Sequence, residues 1–269
     1  MKSAIVGSPH GVQAQIVSEL PVVSVAETLA GGLGIVDLWY WDDDEIGVAL
    51  RAAHAALMTA EERDRYERFR FERDRRLFLA TRVLVRTVLG RYVSVASADW
   101  RFAAGVHGKP YVAHPRLTPP IHFNLANTTG LIACVVSVAH EAVGVDVERT
   151  QELTEAMPLA ERYFAASEVQ ALRALPAAEQ PRRFVAYWTL KESYIKARGL
   201  GLALPLDQFS FRVDDGRIRV DFDPRLADDP TRWRFSLLDM SPQHVLAVSV
   251  DTGCASLSLR VARIVPHGG

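Results

Sequence analysis

From Arg182 to Arg198 the chain sets Phe184, Tyr187, Trp188, Tyr194 and Ile195 at helical spacing, with no proline or glycine to interrupt them. An apolar stripe of that kind must be buried against a neighbouring element, so the chain has to supply a sheet for this helix to lie on. Short apolar runs supply it. Strands are predicted at 34–41, 121–125, 131–138, 143–148, 208–213, 217–222, 233–239 and 244–250. A second helical pattern runs from Thr59 to Tyr92 and opens with Thr59 followed by Glu62, the spacing of a capping box. A shorter helix is predicted at 166–175. Strands grouped with helices in this order predict an α+β fold of two similar halves, each a small, mostly antiparallel sheet packed against one long helix. An internal echo points the same way. Placing Phe123 on Phe235 also brings Leu125 onto Leu237 and Val136-Ser137-Val138 onto Val248-Ser249-Val250 without a gap, the pattern of a duplication with pseudo-two-fold symmetry.

Residues 1–32 read as an N-terminal extension ending in a flexible Ala30-Gly31-Gly32 connector, followed by an N-terminal half at 33–140 and a C-terminal half at 141–269. Lys plus Arg number 31 against 32 for Asp plus Glu, a formal charge of −1, so no global field favours nucleic acid or an anionic membrane and any anion site must be local. Cys134 and Cys254 form neither a disulfide framework nor a metal-ligand spacing, which predicts a reducing, cytoplasmic home. The longest strongly apolar stretch, Leu131 to Val138, falls far short of the roughly 20 residues that span a bilayer.

In Val143-Gly144-Val145-Asp146-Val147-Glu148 the valines alternate with glycine and acids, so a strand places Asp146 and Glu148 on the face opposite the valines. Carboxylates two residues apart on a strand are roughly 6.5–7 Å apart and can reach one cation between them. A half-buried edge strand with solvated acids gives the same pattern. On the helix, Trp188, Glu192 and Lys196 follow at i, i+4 and i+8 and form one file along the border of the apolar stripe. An ordinary Glu192–Lys196 surface pair is one reading of that file. The other is a third carboxylate for a hard-cation site of the Mg2+ type, with Lys196 one turn on to meet a phosphate oxygen.

The combination of Gly144-Val145-Asp146-Val147-Glu148 with Trp188-x-x-Lys191-Glu192-Ser193-x-x-Lys196, in which 192 − 146 separates the acids by 46 positions, resembles the signature of the 4'-phosphopantetheinyl transferase superfamily. The resemblance extends through Gly108-Lys109-Pro110, Phe123-Asn124-Leu125, Gly199-Leu200-Gly201-Leu202 and Leu204-Pro205-Leu206-Asp207-Gln208-Phe209. Its length and spread resemble the monomeric, surfactin-synthetase-type branch, in which two similar halves share one chain. The resemblance implies transfer of the phosphopantetheine arm of coenzyme A to a serine of an apo acyl or peptidyl carrier protein, with release of adenosine 3',5'-bisphosphate. It implies Mg2+ held by Asp146, Glu148 and Glu192, a phosphate grip by Lys196, and Glu192 as the base for the carrier serine, with Glu148 as runner-up. For coenzyme A it implies Lys109 near the adenine and 3'-phosphate, with Arg65 and Arg76 as basic residues from the first long helix. Lys191 and Trp188 are expected to support the site, the tryptophan by packing. The client carrier, whether of fatty-acid, polyketide or nonribosomal-peptide synthesis, is left open, as is acceptance of acylated coenzyme A.

One departure stands out. Where many relatives carry a Ser-His pair after Phe-Asn-x, this chain has Ala126-Asn127, and Asn127 donates hydrogen bonds but never an imidazolium charge. A basic position used by relatives early in the first helix is Glu62 here. Two competing readings remain at this stage: another Mg2+-dependent pyrophosphate or phosphate-ester enzyme, and an inactive carrier-binding module.

Overall fold

The computed structural model describes residues 4–5, 12–17, 34–42, 57–150, 155–214 and 217–265. The Ala30–Gly32 connector lies outside the described residues. Among the described residues, thirteen strands and five α-helices follow one another as β1 (Ala4–Ile5), β2 (Val12–Val17), β3 (Ile35–Trp41), α1 (Ala60–Arg68), α2 (Glu72–Leu89), β4 (Arg101–Ala104), β5 (Pro110–His114), β6 (His122–Thr128), β7 (Leu131–Ser137), β8 (Val143–Arg149), α3 (Ala156–Tyr163), α4 (Ala166–Arg173), α5 (Gln180–Arg198), β9 (Phe209–Asp214), β10 (Arg217–Phe222), β11 (Trp233–Ser241), β12 (His244–Asp251) and β13 (Leu257–Arg263). The fold is α+β.

Two sheets form its centre, one in the order β1-β11-β12-β8 and the other in the order β2-β13-β3-β7-β6. Their inner faces meet in one apolar cluster that joins Val143, Val145 and Val147 of β8 to Leu38 of β3, Val135 of β7 and Val261 of β13. Along β3 the alternation is clean: Val36, Leu38 and Tyr40 join this central layer, while Trp39 and Trp41 turn outward. There they pack with Leu84 and Val88 of α2. On the other sheet's outer face lie α5, Phe164 and the β9–β10 ribbon. The order is therefore helix, sheet, sheet, helix, and each sheet has one long helix, as the stripe on 182–198 requires.

Three differences from the sequence reading have physical causes. The segment from Thr59 to Tyr92 is two helices, because Phe69 and Phe71 adopt extended backbone between them. The break lets α1 turn back so that Glu62 meets Arg86 of α2 at 2.6 Å, while the expected capping box at Thr59 is present. The loop around His107–Pro110 is the tip of a hairpin, β4–β5, whose strands are too exposed to alternate in the sequence. The five-stranded sheet is mixed rather than mostly antiparallel, since β13 runs parallel to both β2 and β3.

Strands distant in sequence share sheets. β13 lies beside β3 in the five-stranded sheet, and β1 pairs with β11 in the four-stranded one. Asp37 on β3 fastens β13 through two bonds from Arg260, at 2.6 and 2.8 Å, and accepts a third from Tyr92 at 2.5 Å. The internal echo falls on the hairpins β6–β7 and β11–β12, but one residue out of register. Phe123 faces Val136, whereas Phe235 faces Ser249 and not the Val248 that the alignment pairs with Val136.

Candidate active site

β8 is an edge strand of the four-stranded sheet and pairs on one side only, with β12. Its valines enter the layer between the sheets, so Gly144, Asp146 and Glu148 face outward, against α5. The helix sits very close there: a Cβ on Gly144 would lie 2.1 Å from the Ser193 carbonyl oxygen and 2.4 Å from the Ala197 nitrogen. Glycine is what allows this approach, and the approach brings the acids of β8 under the helix. α5 starts with Pro181 in its first turn and ends at Gly199 in the left-handed region, φ +64°, a conformation that suits glycine.

From Phe184 to Ala197 the helix is buried except along one file, Trp188, Glu192 and Lys196, whose members are half-buried. That file runs beside β8. Lys196 does not pair along the helix with Glu192. Its Nζ reaches across to Asp146 Oδ1 at 2.6 Å. Asp146 is 5% exposed, and its Oδ2 is buried without a hydrogen-bond partner. Trp188 stacks on Phe184 with ring centres 6.1 Å apart, in keeping with a packing role, and lies close enough to Glu148 to lower that acid's pKa.

The electrostatics follow from burial and like charge. Burial pushes Glu148 up to about 7, the Asp146 carboxylate adds to the rise, and Lys196 and Trp188 oppose it. Glu192 is raised by burial and then by Asp146. Asp146 is raised by burial, against the pull of Lys196. Three acids that feel one another at close range are costly to ionise together. Among the described residues no three His, Cys, Asp or Glu side chains close into a ready metal cluster. Lys196 takes one oxygen of Asp146, and the carboxylates repel each other. The donor set nonetheless fits a hard divalent cation, since all three groups offer carboxylate oxygen and one such oxygen is buried with nothing to satisfy it.

The other residues singled out in the sequence lie around this seam. Lys109, at the tip of the β4–β5 hairpin, donates to the carbonyls of Val143 at 3.1 Å and Ala197 at 2.9 Å. Burial lowers its pKa to about 8. Asn127 is exposed on the edge strand β6, with Nδ2 3.4 Å from Thr81 Oγ1. Arg65 is exposed on α1 and lies over the Phe78 ring at 5.4 Å, and Arg76 is half-buried on α2. Glu62 ties α1 to α2 through Arg86. Lys191 points away from the acids: it is fully buried, forms a 2.8 Å ion pair with Glu168, and donates to the carbonyls of Leu206 and Phe209. Two cavities, of about 600 and 700 Å3, lie on either side of Lys109, and both are lined by it and by Glu141. Neither is lined by Asp146, Glu148, Glu192 or Lys196.

Asn124 is a contributor that the sequence reading quoted without a role. Its buried Oδ1 accepts the Val145 N–H at 3.0 Å, next to Asp146. An asparagine inside an apolar strand is the only signal that marked it.

Comparison with known proteins places the chain in context. Residues 142–249 match the model of the 4'-phosphopantetheinyl transferase superfamily, and residues 48–140 match that of 4'-phosphopantetheinyl transferase, N-terminal. The chain is 31% identical over 194 residues to 4'-phosphopantetheinyl transferase Sfp of Bacillus subtilis (strain 168), covering 72% of this chain and 82% of that one. It is 33% identical over 194 residues to 4'-phosphopantetheinyl transferase ffp of Bacillus subtilis, with the same coverage of 72% and 82%. A phosphopantetheinyl transferase of Thraustochytrium sp. is 35% identical over 218 residues, 76% of this chain and 73% of that one.

Proposed function

The chain belongs to the 4'-phosphopantetheinyl transferase superfamily, and from that membership we propose how its residues divide the reaction. It is a transferase that moves the 4'-phosphopantetheine group of coenzyme A to a serine of an apo carrier protein, releasing adenosine 3',5'-bisphosphate. Such a phosphoryl transfer needs a neutralised pyrophosphate, an aligned hydroxyl and a group to take its proton.

Asp146, Glu148 and Glu192 hold Mg2+ in this reading, which the buried, unpartnered Oδ2 of Asp146 supports best. When bound, the ion supplies positive charge that stabilises the pyrophosphate as the leaving bisphosphate departs. Lys196 exchanges its bond to Asp146 for a phosphate oxygen of the substrate, which keeps its ammonium paired throughout. Glu192 takes the proton of the carrier serine, and Glu148 is the alternative. Burial raises both carboxyls in the metal-free protein. Trp188 packs beside the file and opposes the rise in the pKa of Glu148. Arg65, Arg76 and Asn127 serve the nucleotide end of coenzyme A. The two long helices on their two sheets are the relics of a duplicated half, and the enzyme works as a cytoplasmic monomer.

Mixing the protein with coenzyme A, Mg2+ and an apo carrier protein, and weighing the carrier by mass spectrometry, tests the reading. A mass gain equal to the phosphopantetheine arm, abolished by a chelator, is expected. Coenzyme A cleaved while the carrier stays unchanged would instead mark a hydrolase, and neither change across several carrier types would mark an inactive carrier-binding module.

A further inference from the structure

β8 ends its sheet, so backbone groups along its free edge need partners from elsewhere. Two side chains of the N-terminal half provide them. Lys109 Nζ donates to the Val143 carbonyl at 3.1 Å, and Asn124 Oδ1 accepts the Val145 N–H at 3.0 Å, so the residues just before Asp146 are held at two successive points. The same ammonium also donates to the Ala197 carbonyl at 2.9 Å. That carbonyl belongs to the last turn of α5, where no partner exists within the helix and where a cation is favoured by the helix dipole. Gly199 leaves room for the approach, since a Cβ there would lie 3.3 Å from Lys109 Cδ. One side chain thus joins the β4–β5 hairpin, the start of the strand that carries Asp146 and Glu148, and the end of the helix that carries Glu192 and Lys196.

We infer that Lys109 is a positioning residue for the transfer: its ammonium ties β8 to the C-terminal turn of α5 and so sets the spacing between the acids of the strand and those of the helix. This departs from a direct grip on the 3'-phosphate of coenzyme A. The ammonium already spends two of its three N–H groups on main-chain carbonyls, which leaves it only one with which to meet a ligand.

The inference rests on the transferase reading for its kinetic arm only. Lys109→Met keeps the stem and removes the ammonium, and Lys109→Arg keeps the charge but cannot place a planar fork on the same two carbonyls. Positioning predicts that both variants lower kcat by roughly ten- to a hundredfold. The Mg2+ concentration for half-maximal rate rises, and the preference for coenzyme A over 3'-dephospho-coenzyme A keeps its wild-type ratio. A phosphate grip predicts the reverse: kcat is held, the preference collapses in Lys109→Met, and Lys109→Arg restores it. Hydrogen exchange on the full chain in chelator gives a readout without turnover. Faster exchange at Val145 and in the last turn of α5 in Lys109→Met is expected, and unchanged exchange there would overturn the inference even if no transfer were ever observed.

Discussion

Lys196 Nζ lies 2.6 Å from Asp146 Oδ1, an ion pair that crosses from α5 to β8 over 50 positions of chain and leaves Asp146 Oδ2 buried and unpartnered. The pair joins the two elements of the site before any ligand arrives, and it leaves one carboxylate oxygen free for a ligand.

Asp146→Asn therefore separates function from stability. Loss of this carboxylate is expected to slow carrier modification at least ~100-fold at saturating Mg2+. Burial outweighs Lys196 in its effect on Asp146, so removing the charge is expected to leave the melting temperature in chelator unchanged or higher. Thermal melts beside the mass assay check both. A lower melting temperature with full activity would contradict the assignment.

Gly144→Ala addresses the contact between strand and helix. The added methyl meets backbone of Ser193 and Ala197, which cannot rotate away, so α5 must lift from β8. A loss of ~3 kcal/mol in denaturant unfolding is expected, with transfer reduced further than the unfolded fraction explains.

Lys191→Met breaks a buried ion pair and leaves Glu168 without its cation. A loss of about 3–5 kcal/mol is expected. The double variant Lys191→Met with Glu168→Gln is expected to lose less than Lys191→Met alone, because no unpaired charge remains buried. Urea unfolding of the wild type, the two single variants and the double variant decides this, and additive losses would argue that the pair is not coupled.

The pKa of Lys109, lowered by burial to about 8 from 10.5, makes a pH prediction. Between those values the folded protein binds fewer protons than the unfolded chain, so this residue's contribution to stability rises with pH across the window. The stability difference between the wild type and Lys109→Met is expected to grow in favour of the wild type from pH ~7.5 to ~10. A difference that stays flat or shrinks would mean that the ammonium is not desolvated.

Asn127→His tests the departure on β6. Asn127 is exposed beside Thr81, so an imidazole fits there without displacing a core residue. A histidine titrates near pH ~6.5. Coenzyme A is expected to bind the variant more tightly than wild type below that pH and equally above it, as calorimetry can show. No gain at mildly acidic pH would exclude a charge-based effect.

Much of the site was legible in the chain because it is written in local periods. The file of Trp188, Glu192 and Lys196 follows from helical spacing, and it is the half-buried file of α5. The common face of Asp146 and Glu148 follows from strand alternation. β13 is absent from the strands expected from sequence, although Leu257, Leu259 and Val261 alternate against Ser258 and Arg260; alternation does not reveal a strand's neighbours in any case. The break at Phe69–Phe71 escaped because nothing there forbids a helix; contacts between Glu62 and Arg86, 24 positions apart, decide it.

What the sequence determined by itself was the kind of chemistry: which residues are acidic, which face of strand or helix carries them, and that a glycine stands beside them. These depend on residue type and on periods of two or of 3.6, which act over a few positions. Partner choice was decided by the tertiary structure alone. Lys196 has a carboxylate one turn away at Glu192, yet it pairs with Asp146 because packing on Gly144 brings β8 within reach. Lys109 serves two carbonyls, 34 and 88 positions distant, for the same reason. Once buried, a charged group must take whichever partner the fold places nearest, and that distance is written nowhere along the chain.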